Sequence, residues 1–127
     1  MHKTRIIQVT DTHLFADTNE ELVGMNCDEG LRDVIALIDD HEARPDALLF
    51  TGDASQDNSV ESFQRLEASL QALAIPQYWI PGNHDELQKM QSALGPENPC
   101  FQCSVKFGNW RVILLNSSVP GKIVRAP

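Results

Sequence analysis

The stretch Trp79-Ile80-Pro81-Gly82-Asn83-His84-Asp85 decides the predicted fold. Its apolar start is typical of the end of a buried strand, and the Pro-Gly pair breaks that strand. An amide, an imidazole and a carboxylate follow on consecutive residues, and a helical pattern begins directly after them. Ligands of α/β proteins bind at such strand-to-helix junctions, where the helix N-terminus favours anions.

The chain before this stretch alternates between strand and helix patterns. Arg5 to Thr10 and Asp46 to Thr51 are short apolar runs that predict two buried strands. Asn26 with Glu29, and Asn58 with Glu61, have the spacing of a helix-capping box, which predicts two helix starts. Apolar residues then recur at helical spacing and predict the buried faces: Leu31, Val34, Ile35 and Ile38 in the first helix; Val60, Phe63, Leu66, Leu70 and Leu73 in the second.

The chain after this stretch changes its rhythm. A third helix is predicted from Glu86 to Leu94, and two strand-like runs, 101–107 and 110–115, flank the hairpin-type pair Gly108-Asn109. The polar segment from Phe15 to Gly24 is predicted to be a surface loop. The whole pattern indicates one α/β domain with parallel strands, followed by the start of antiparallel structure.

Polar side chains follow each of the three predicted strands: Asp11 and His13, then Asp53, then Asn83 and His84. Each of these aspartates, taken singly, is compatible with ordinary turn chemistry. Polar residues at all three strand ends together are much less expected by chance. The carboxyl ends of parallel strands meet at one edge of a sheet. The sequence therefore predicts that these five side chains converge on one site.

The residue types at this edge indicate a metal centre. Carboxylate, imidazole and amide ligands suit Fe, Mn or Zn better than Ca or Mg. Asp53 follows the second of the three strands, so its carboxylate is the candidate to bridge two ions and support phosphoryl chemistry. His84 is the candidate general acid. Asp85 has two interpretations, as a charge at the helix N-terminus or as a group that orients His84 or a ligand.

Composition narrows the partners. The net charge is −8, which argues against non-specific binding to nucleic acid or anionic membranes. No apolar run approaches the length of about 18 residues needed to span a membrane, and no signal peptide is visible, so a cytoplasmic location is expected. Cys100 and Cys103 have the C-x-x-C spacing, but without a second pair they are interpreted as ordinary strand cysteines on opposite faces, and Cys27 has no evident base partner.

Three blocks of sequence resemble a known family. Asp11-Thr12-His13, Gly52-Asp53-Ala54-Ser55-Gln56-Asp57 and Gly82-Asn83-His84-Asp85 are similar, in order and spacing, to the D-x-H, G-D-x-x-x-D and G-N-H-D blocks of the calcineurin-like metallophosphoesterases. Less specific stretches of the chain resemble the class III cyclic-nucleotide phosphodiesterases, in particular the bacterial enzymes that hydrolyse 3′,5′-cyclic AMP. These stretches are Thr10 to Phe15, Gly24-Met25-Asn26, Gln56-Asp57 and Leu114 to Gly121.

The resemblance implies a fold of two stacked β-sheets flanked by helices, an αββα sandwich with a two-metal centre at its strand ends. It implies that Asp11 and His13 bind the first metal, that Asp53 bridges, and that Asn83 binds the second. It further implies that His84 contacts the scissile phosphate, and that a cyclic nucleotide lies against His13, Asp53, Asn83 and His84. Iron or manganese are the metals implied, with zinc as the alternative.

The chain departs from the family pattern in its histidines. The family has further histidines after the hairpin, including a G-H-x-H block, whereas this chain has histidine only at positions 2, 13, 41 and 84. His41 is expected on the solvated face near the end of the first helix. The resemblance covers residues 5 to about 121 and only the first half of the family domain. Residues 1–127 are therefore expected to be the N-terminal half of a metallophosphoesterase domain, truncated to one parallel sheet with its helices and a hairpin. The chain is expected to be weakly active or inactive, and aggregation-prone or oligomeric.

Three functions remain open on the sequence. The first is hydrolysis of 3′,5′-cyclic AMP to AMP by a metal-activated water, and the second is a phosphomonoesterase or other phosphodiesterase activity of the same superfamily. The third is a non-catalytic half-domain that binds metal weakly.

Overall fold

The computed structural model describes residues 3–41 and 43–117. Ten elements follow one another along the chain: β1 (Ile6–Val9), β2 (Glu21–Leu22), β3 (Met25–Asn26), α1 (Cys27–Asp39), β4 (Ala47–Phe50), α2 (Val60–Gln71), β5 (Gln77–Trp79), α3 (Leu87–Leu94), β6 (Ser104–Phe107) and β7 (Trp110–Ile113). The predicted α/β order is confirmed. His2 and residues 118–127, which carry part of the Leu114-to-Gly121 signal, lie outside the described residues.

The main sheet is parallel and has the order β1-β4-β5. Val9 pairs with Phe50, and Phe50 with Trp79, so the three strands end in register at one edge. This register confirms the parallel arrangement that the sequence predicts. The site residues follow these ends directly.

The core lies between the sheet and the helices. Leu48 and Phe50 on β4 are buried, and Phe63, Leu66 and Leu70 on α2 pack in the same apolar cluster. The rings of Phe50 and Trp79 are in contact, with centroids 5.0 Å apart. Burying several large side chains, each worth about 1.5–3 kcal/mol, is the main force that holds β4 and β5 under α2.

The prediction of a buried first strand is wrong, because β1 is an edge strand whose exposure alternates and only Val9 is buried. Val34, predicted on the buried face of the first helix, is exposed; Leu31 and Ile38 are the buried residues of α1. In the part of the chain that the structure describes, β4 is the sole neighbour of β1 in the sheet.

Two local predictions also need correction. The segment predicted as a surface loop contains β2, which pairs antiparallel with β3. Val23 and Gly24 form the turn between these two strands. Both of these turn residues have positive φ, the geometry that a two-residue hairpin turn requires. The second helix is capped by Ser59, whose side chain accepts from Ser62 N, and not by Asn58. Asn26 caps α1 as predicted, accepting from Glu29 N.

The C-terminal hairpin is confirmed with shorter strands than predicted, since β6 and β7 pair from Ser104 with Ile113 to Phe107 with Trp110. Tyr78 on β5 contacts Phe107 edge to face. Cys100 and Cys103 precede β6; Cys100 is buried, Cys103 is exposed, and both are free thiols. Burial, with a smaller contribution from Glu67, raises the pKa of Cys100 to about 12, so it is an inert thiol.

Candidate metal centre

The loops after β1 and β4 continue the backbone ladder beyond the strands. The amides of Asp11, His13 and Leu14 donate to the carbonyls of Gly52, Asp53 and Ala54, each at 2.9 Å. Leu14 and Ser55 then form a parallel bridge. The loops that carry Asp11, His13 and Asp53 are thus held side by side by backbone hydrogen bonds.

Three of the site residues have a strained backbone. Asp11, His13 and Asp53 have φ of 59°, 46° and 54°, in the left-handed region that residues other than glycine rarely adopt. Such conformations persist only where the surroundings impose them, and they cluster at functional sites. Here the ladder imposes them, and their effect is to turn three side chains toward one point.

These three side chains form a compact group. Each offers one ligand atom, and the three atoms lie within 4.8 Å of one another. His13 Nε2 lies 3.5 Å from Asp11 Oδ1 and 3.8 Å from Asp53 Oδ2. Two carboxylates beside one imidazole concentrate negative charge, which a divalent cation neutralises, and this donor set fits a transition metal.

Asn83 and His84 approach the same group from the loop after β5. One terminal atom of the Asn83 side-chain amide lies 3.0 and 3.1 Å from the two carboxylate oxygens of Asp53. With nitrogen in that place the amide donates to Asp53; with oxygen in that place the amide and the carboxylate together offer oxygen ligands to a cation. The backbone amide of His84 donates to Asp53 Oδ1 at 3.0 Å. The exposed His84 ring meets the ring of His13 edge to face at 5.4 Å.

Asp85 braces the loops from behind. Its buried carboxylate accepts from the backbone amides of Ala54, Ser55 and Gly82 at 3.1, 3.1 and 2.9 Å. Burial raises the pKa of Asp85, and these three donors oppose that rise because they stabilise the charged form. The side chain thus joins the loop of Asp53 to the loop of Asn83, which favours an orienting role over a simple helix-terminus charge.

Two glycines allow the loops to approach. A Cβ on Gly52, which has φ of 113°, would lie 2.5 Å from the Cα of Gly82. A Cβ on Gly82 would collide with the backbone nitrogen and carboxylate of Asp53. The sequence reveals both glycines within the recognised blocks, but their mutual contact depends on the sheet register.

Three further polar residues support the site and were not predicted to do so from the sequence. Gln56 Oε1 lies 2.9 Å from His13 Nδ1. Asn58 donates to the carbonyl of His84 at 2.9 Å and accepts from the amide of Glu86 at 2.8 Å. Arg65 forms an ion pair with Asp28 at 2.7 Å and donates to the backbone carbonyls of Phe15 and Ala16. No spacing rule predicts these contacts, because they join separate elements.

Comparison with known proteins decides the family. A model of the family described as calcineurin-like phosphoesterase matches residues 4–125. The chain belongs to the calcineurin-like phosphoesterase family. Members of this family use divalent metals, and the Asp11, His13 and Asp53 group is a possible site for one.

Several calcineurin-like phosphoesterases in bacteria are similar to this chain. A Pseudomonas aeruginosa protein named 3′,5′-cyclic adenosine monophosphate phosphodiesterase CpdA is 41% identical over 118 residues, covering 93% of this chain and 43% of its own length. A Nostoc protein named 3′,5′-cyclic-nucleotide phosphodiesterase is 40% identical over 114 residues, 90% of this chain and 43% of that protein. The Escherichia coli K12 protein named CpdA is 38% identical over 120 residues, 94% of this chain and 44% of that protein. The chain thus spans less than half the length of these relatives.

A cavity of about 420 Å³ lies between β1 and α1, reaching from Asp11 and His13 to Leu31 and Val34. His41 follows the end of α1 and is exposed, as predicted. Among the described residues, none of the helices is both long and apolar enough to cross a membrane.

Proposed function

We propose that residues 1–127 form the N-terminal half of a metallophosphoesterase domain whose reaction is the hydrolysis of 3′,5′-cyclic AMP to AMP. The observation that carries this proposal is the convergence of Asp11, His13, Asp53, Asn83 and His84 in a member of this family. The names of the relatives favour a cyclic nucleotide over other phosphoesters. The substrate is a small molecule in the cytoplasm, and neither nucleic acid nor a membrane is a partner.

Two divalent ions would occupy the site. Asp11 and His13 would hold the first, Asn83 would hold the second through its amide oxygen, and Asp53 would contribute carboxylate oxygen to both. Iron or manganese suits these carboxylate, imidazole and amide donors, with zinc as the alternative. Bound divalent ions supply charge neutralisation for the phosphoryl group and activate a water molecule as the nucleophile.

The chain's own residues then orient the phosphodiester. Asp53 is fixed by the amide of His84, so its carboxylate keeps one direction. The exposed imidazole of His84 lies beside the ring of His13 and is the group assigned to contact the phosphate and deliver a proton to the leaving oxygen. Asp85 holds the two loops together and so preserves the distance between Asp53 and Asn83.

The ligand count predicts weak activity of the 127-residue chain. Among the described residues, Asp53 and Asn83 would be the ligands of the second ion, and His13, the one imidazole grouped with Asp53, is assigned to the first. Calorimetric titration with Mn²⁺ tests this count. Two tight sites favour a complete catalytic centre, whereas one weak site favours the alternative of a non-catalytic half-domain.

The substrate is tested by assay of the chain with Mn²⁺ against cyclic AMP and p-nitrophenyl phosphate esters. The same assays are repeated after the chain is fused to the C-terminal part of the Pseudomonas aeruginosa relative. We expect slow or no hydrolysis by the chain alone and conversion of cyclic AMP to AMP by the fusion, lost in Asp53→Asn. A fusion that hydrolyses phosphomonoesters in preference to cyclic AMP supports the alternative of a phosphomonoesterase. Full activity of the chain alone contradicts the proposal that it is half of a catalytic domain.

A further inference from the structure

Gln56 stands behind His13, on the side of the imidazole away from the candidate metal ligands. Its Oε1 is 2.9 Å from Nδ1, while Nε2 faces Asp11 and Asp53. An amide oxygen only accepts hydrogen bonds, so this contact requires the proton of a neutral imidazole to be on Nδ1. The lone pair is then on Nε2 and points into the group of carboxylates.

The position of Gln56 is fixed by the backbone rather than by its own side chain. Its backbone amide donates to the backbone carbonyl of Leu14 at 2.8 Å, and this hydrogen bond lies one residue beyond the bridge between Leu14 and Ser55. The side-chain carboxylate of Asp57 accepts from the backbone amide of Ala16 at 2.9 Å. The backbone ladder between the two loops therefore extends to Gln56, and its side chain is held against the ring of His13.

The arrangement favours a cation at this point. A neutral imidazole lone pair on Nε2, together with the nearby oxygens of Asp11 and Asp53, places three acceptors around one point. A hydrogen bond to the remote nitrogen of a histidine fixes its tautomer and ring orientation and raises its basicity as a ligand. We infer that Gln56 is a positioning residue that holds His13 in the Nδ1–H tautomer and presents Nε2 to a divalent ion. This inference rests on the proposed function only in requiring a divalent ion at the site.

The first test measures Mn²⁺ affinity of the full 127-residue chain by electron paramagnetic resonance. Gln56→Met keeps the length of the side chain but removes the amide acceptor, and Gln56→Leu is a second variant of the same kind. We expect either to weaken Mn²⁺ binding by about 10–100-fold, as loss of such supporting contacts does. Gln56→Glu retains an acceptor for Nδ1–H, so it is expected to bind within a few-fold of the wild type. The control is Gln71→Leu, an exposed position at the end of α2.

The second test reads the tautomer directly in the metal-free chain. Long-range ¹H–¹⁵N correlation at alkaline pH, where free imidazole is neutral, is expected to show the proton of His13 on Nδ1 in the wild type and in Gln56→Glu. Gln56→Met is expected to show a mixture. A wild-type proton on Nε2, or unchanged Mn²⁺ affinity in both Gln56→Met and Gln56→Leu, overturns the inference. If the wild type bound no Mn²⁺, the proposed function would fail, while a tautomer that depends on Gln56 would still support its role.

Discussion

Gly82 lies so close to Asp53 that a methyl group in its place would meet both the backbone nitrogen and the carboxylate. The Gly82→Ala substitution is therefore expected to displace the candidate bridging ligand. We expect Mn²⁺ affinity to fall by at least about tenfold, the scale of losses seen when a ligand is disoriented. Calorimetric titration measures the change.

Gly108→Ala is the matched control for this substitution. Gly108 has positive φ, at 57°, which Gly82 does not, so alanine at Gly108 adds backbone strain; a Cβ there, however, would enter open space in the β6–β7 turn. This control should lose some stability and keep its Mn²⁺ affinity. Equal affinity of the two variants would show that the approach of Gly82 to Asp53 is not needed for binding.

Cys100 and Cys103 are expected to differ in reactivity because they differ in burial. Burial, together with the charge of Glu67, raises the pKa of Cys100 to about 12, and Cys103 is exposed. Iodoacetamide at pH 8 is therefore expected to modify Cys103 first and Cys100 only after unfolding in urea, because the thiolate is the nucleophile. Peptide mass mapping over time follows each site. A disulfide between Cys100 and Cys103, or equal rates, would contradict this description.

At the scale of elements, Asp57 joins the loop after His13 to the start of α2. Its carboxylate accepts from the amides of Ala16 and Ser59 and from the hydroxyls of Ser55 and Ser59. Burial alone would raise the pKa of Asp57, but these hydrogen bonds outweigh it and lower the pKa below 3.8. Because the folded-state value is the lower one, ionised Asp57 stabilises the fold above pH about 3.8, and the effect disappears as pH falls through the lower value.

The Asp57→Asn variant tests this linkage. At neutral pH it should unfold at a lower urea concentration than the wild type. The difference in unfolding free energy should shrink as the pH falls below 3.8, where the wild-type carboxylate becomes protonated in both states. Asp17→Asn, in the exposed loop before β2, is the control. A difference that stays constant with pH would mean that the charge of Asp57 does not contribute.

Periodicity predicted the elements well where one face is buried by a neighbour. The runs at Phe63, Leu66 and Leu70 and at Leu48 and Phe50 are in the core because β4 is central and α2 covers it. The same reasoning failed for β1, Val34 and Val60, since an apolar pattern reveals neither whether a strand lies at an edge nor how wide the covered face of a helix is. The cap of α2 was misplaced by one residue because Asn58, with φ of 54°, uses its side chain for the loop of His84.

The convergence of the candidate ligands was predictable from the sequence, and their supporting contacts were not. Asp11, Asp53 and Asn83 were found because each follows a strand, and parallel strands bring such positions together. The contact of Gln56 with His13 spans 43 residues of sequence and depends on the register of two loops. Contacts of this kind appear only when the fold is known.

For the whole molecule, the main feature is exposed apolar surface, which includes side chains of α1 and β7. Leu37 on α1 is 74% exposed, and Trp110 and Ile113 on β7 are 72% and 63% exposed. Leu115, just after β7, is 73% exposed. Exposed apolar surface of this kind marks an interaction site or an aggregation liability. The relatives, of which this chain matches about 43%, have sequence beyond the matched part.

The chain alone is therefore expected to self-associate. Its net charge of −8 opposes association, and salt screens that repulsion without weakening apolar contacts. Sedimentation velocity should show larger species as protein concentration or salt rises. The triple variant Trp110→Lys, Ile113→Lys, Leu115→Lys should shift the chain toward monomer, whereas Lys106→Ala on β6 should not. Because lysine also reduces the magnitude of the negative charge, a monomeric triple variant would attribute association to the apolar surface of β7. A wild type that stays monomeric at all concentrations and salts would contradict the prediction.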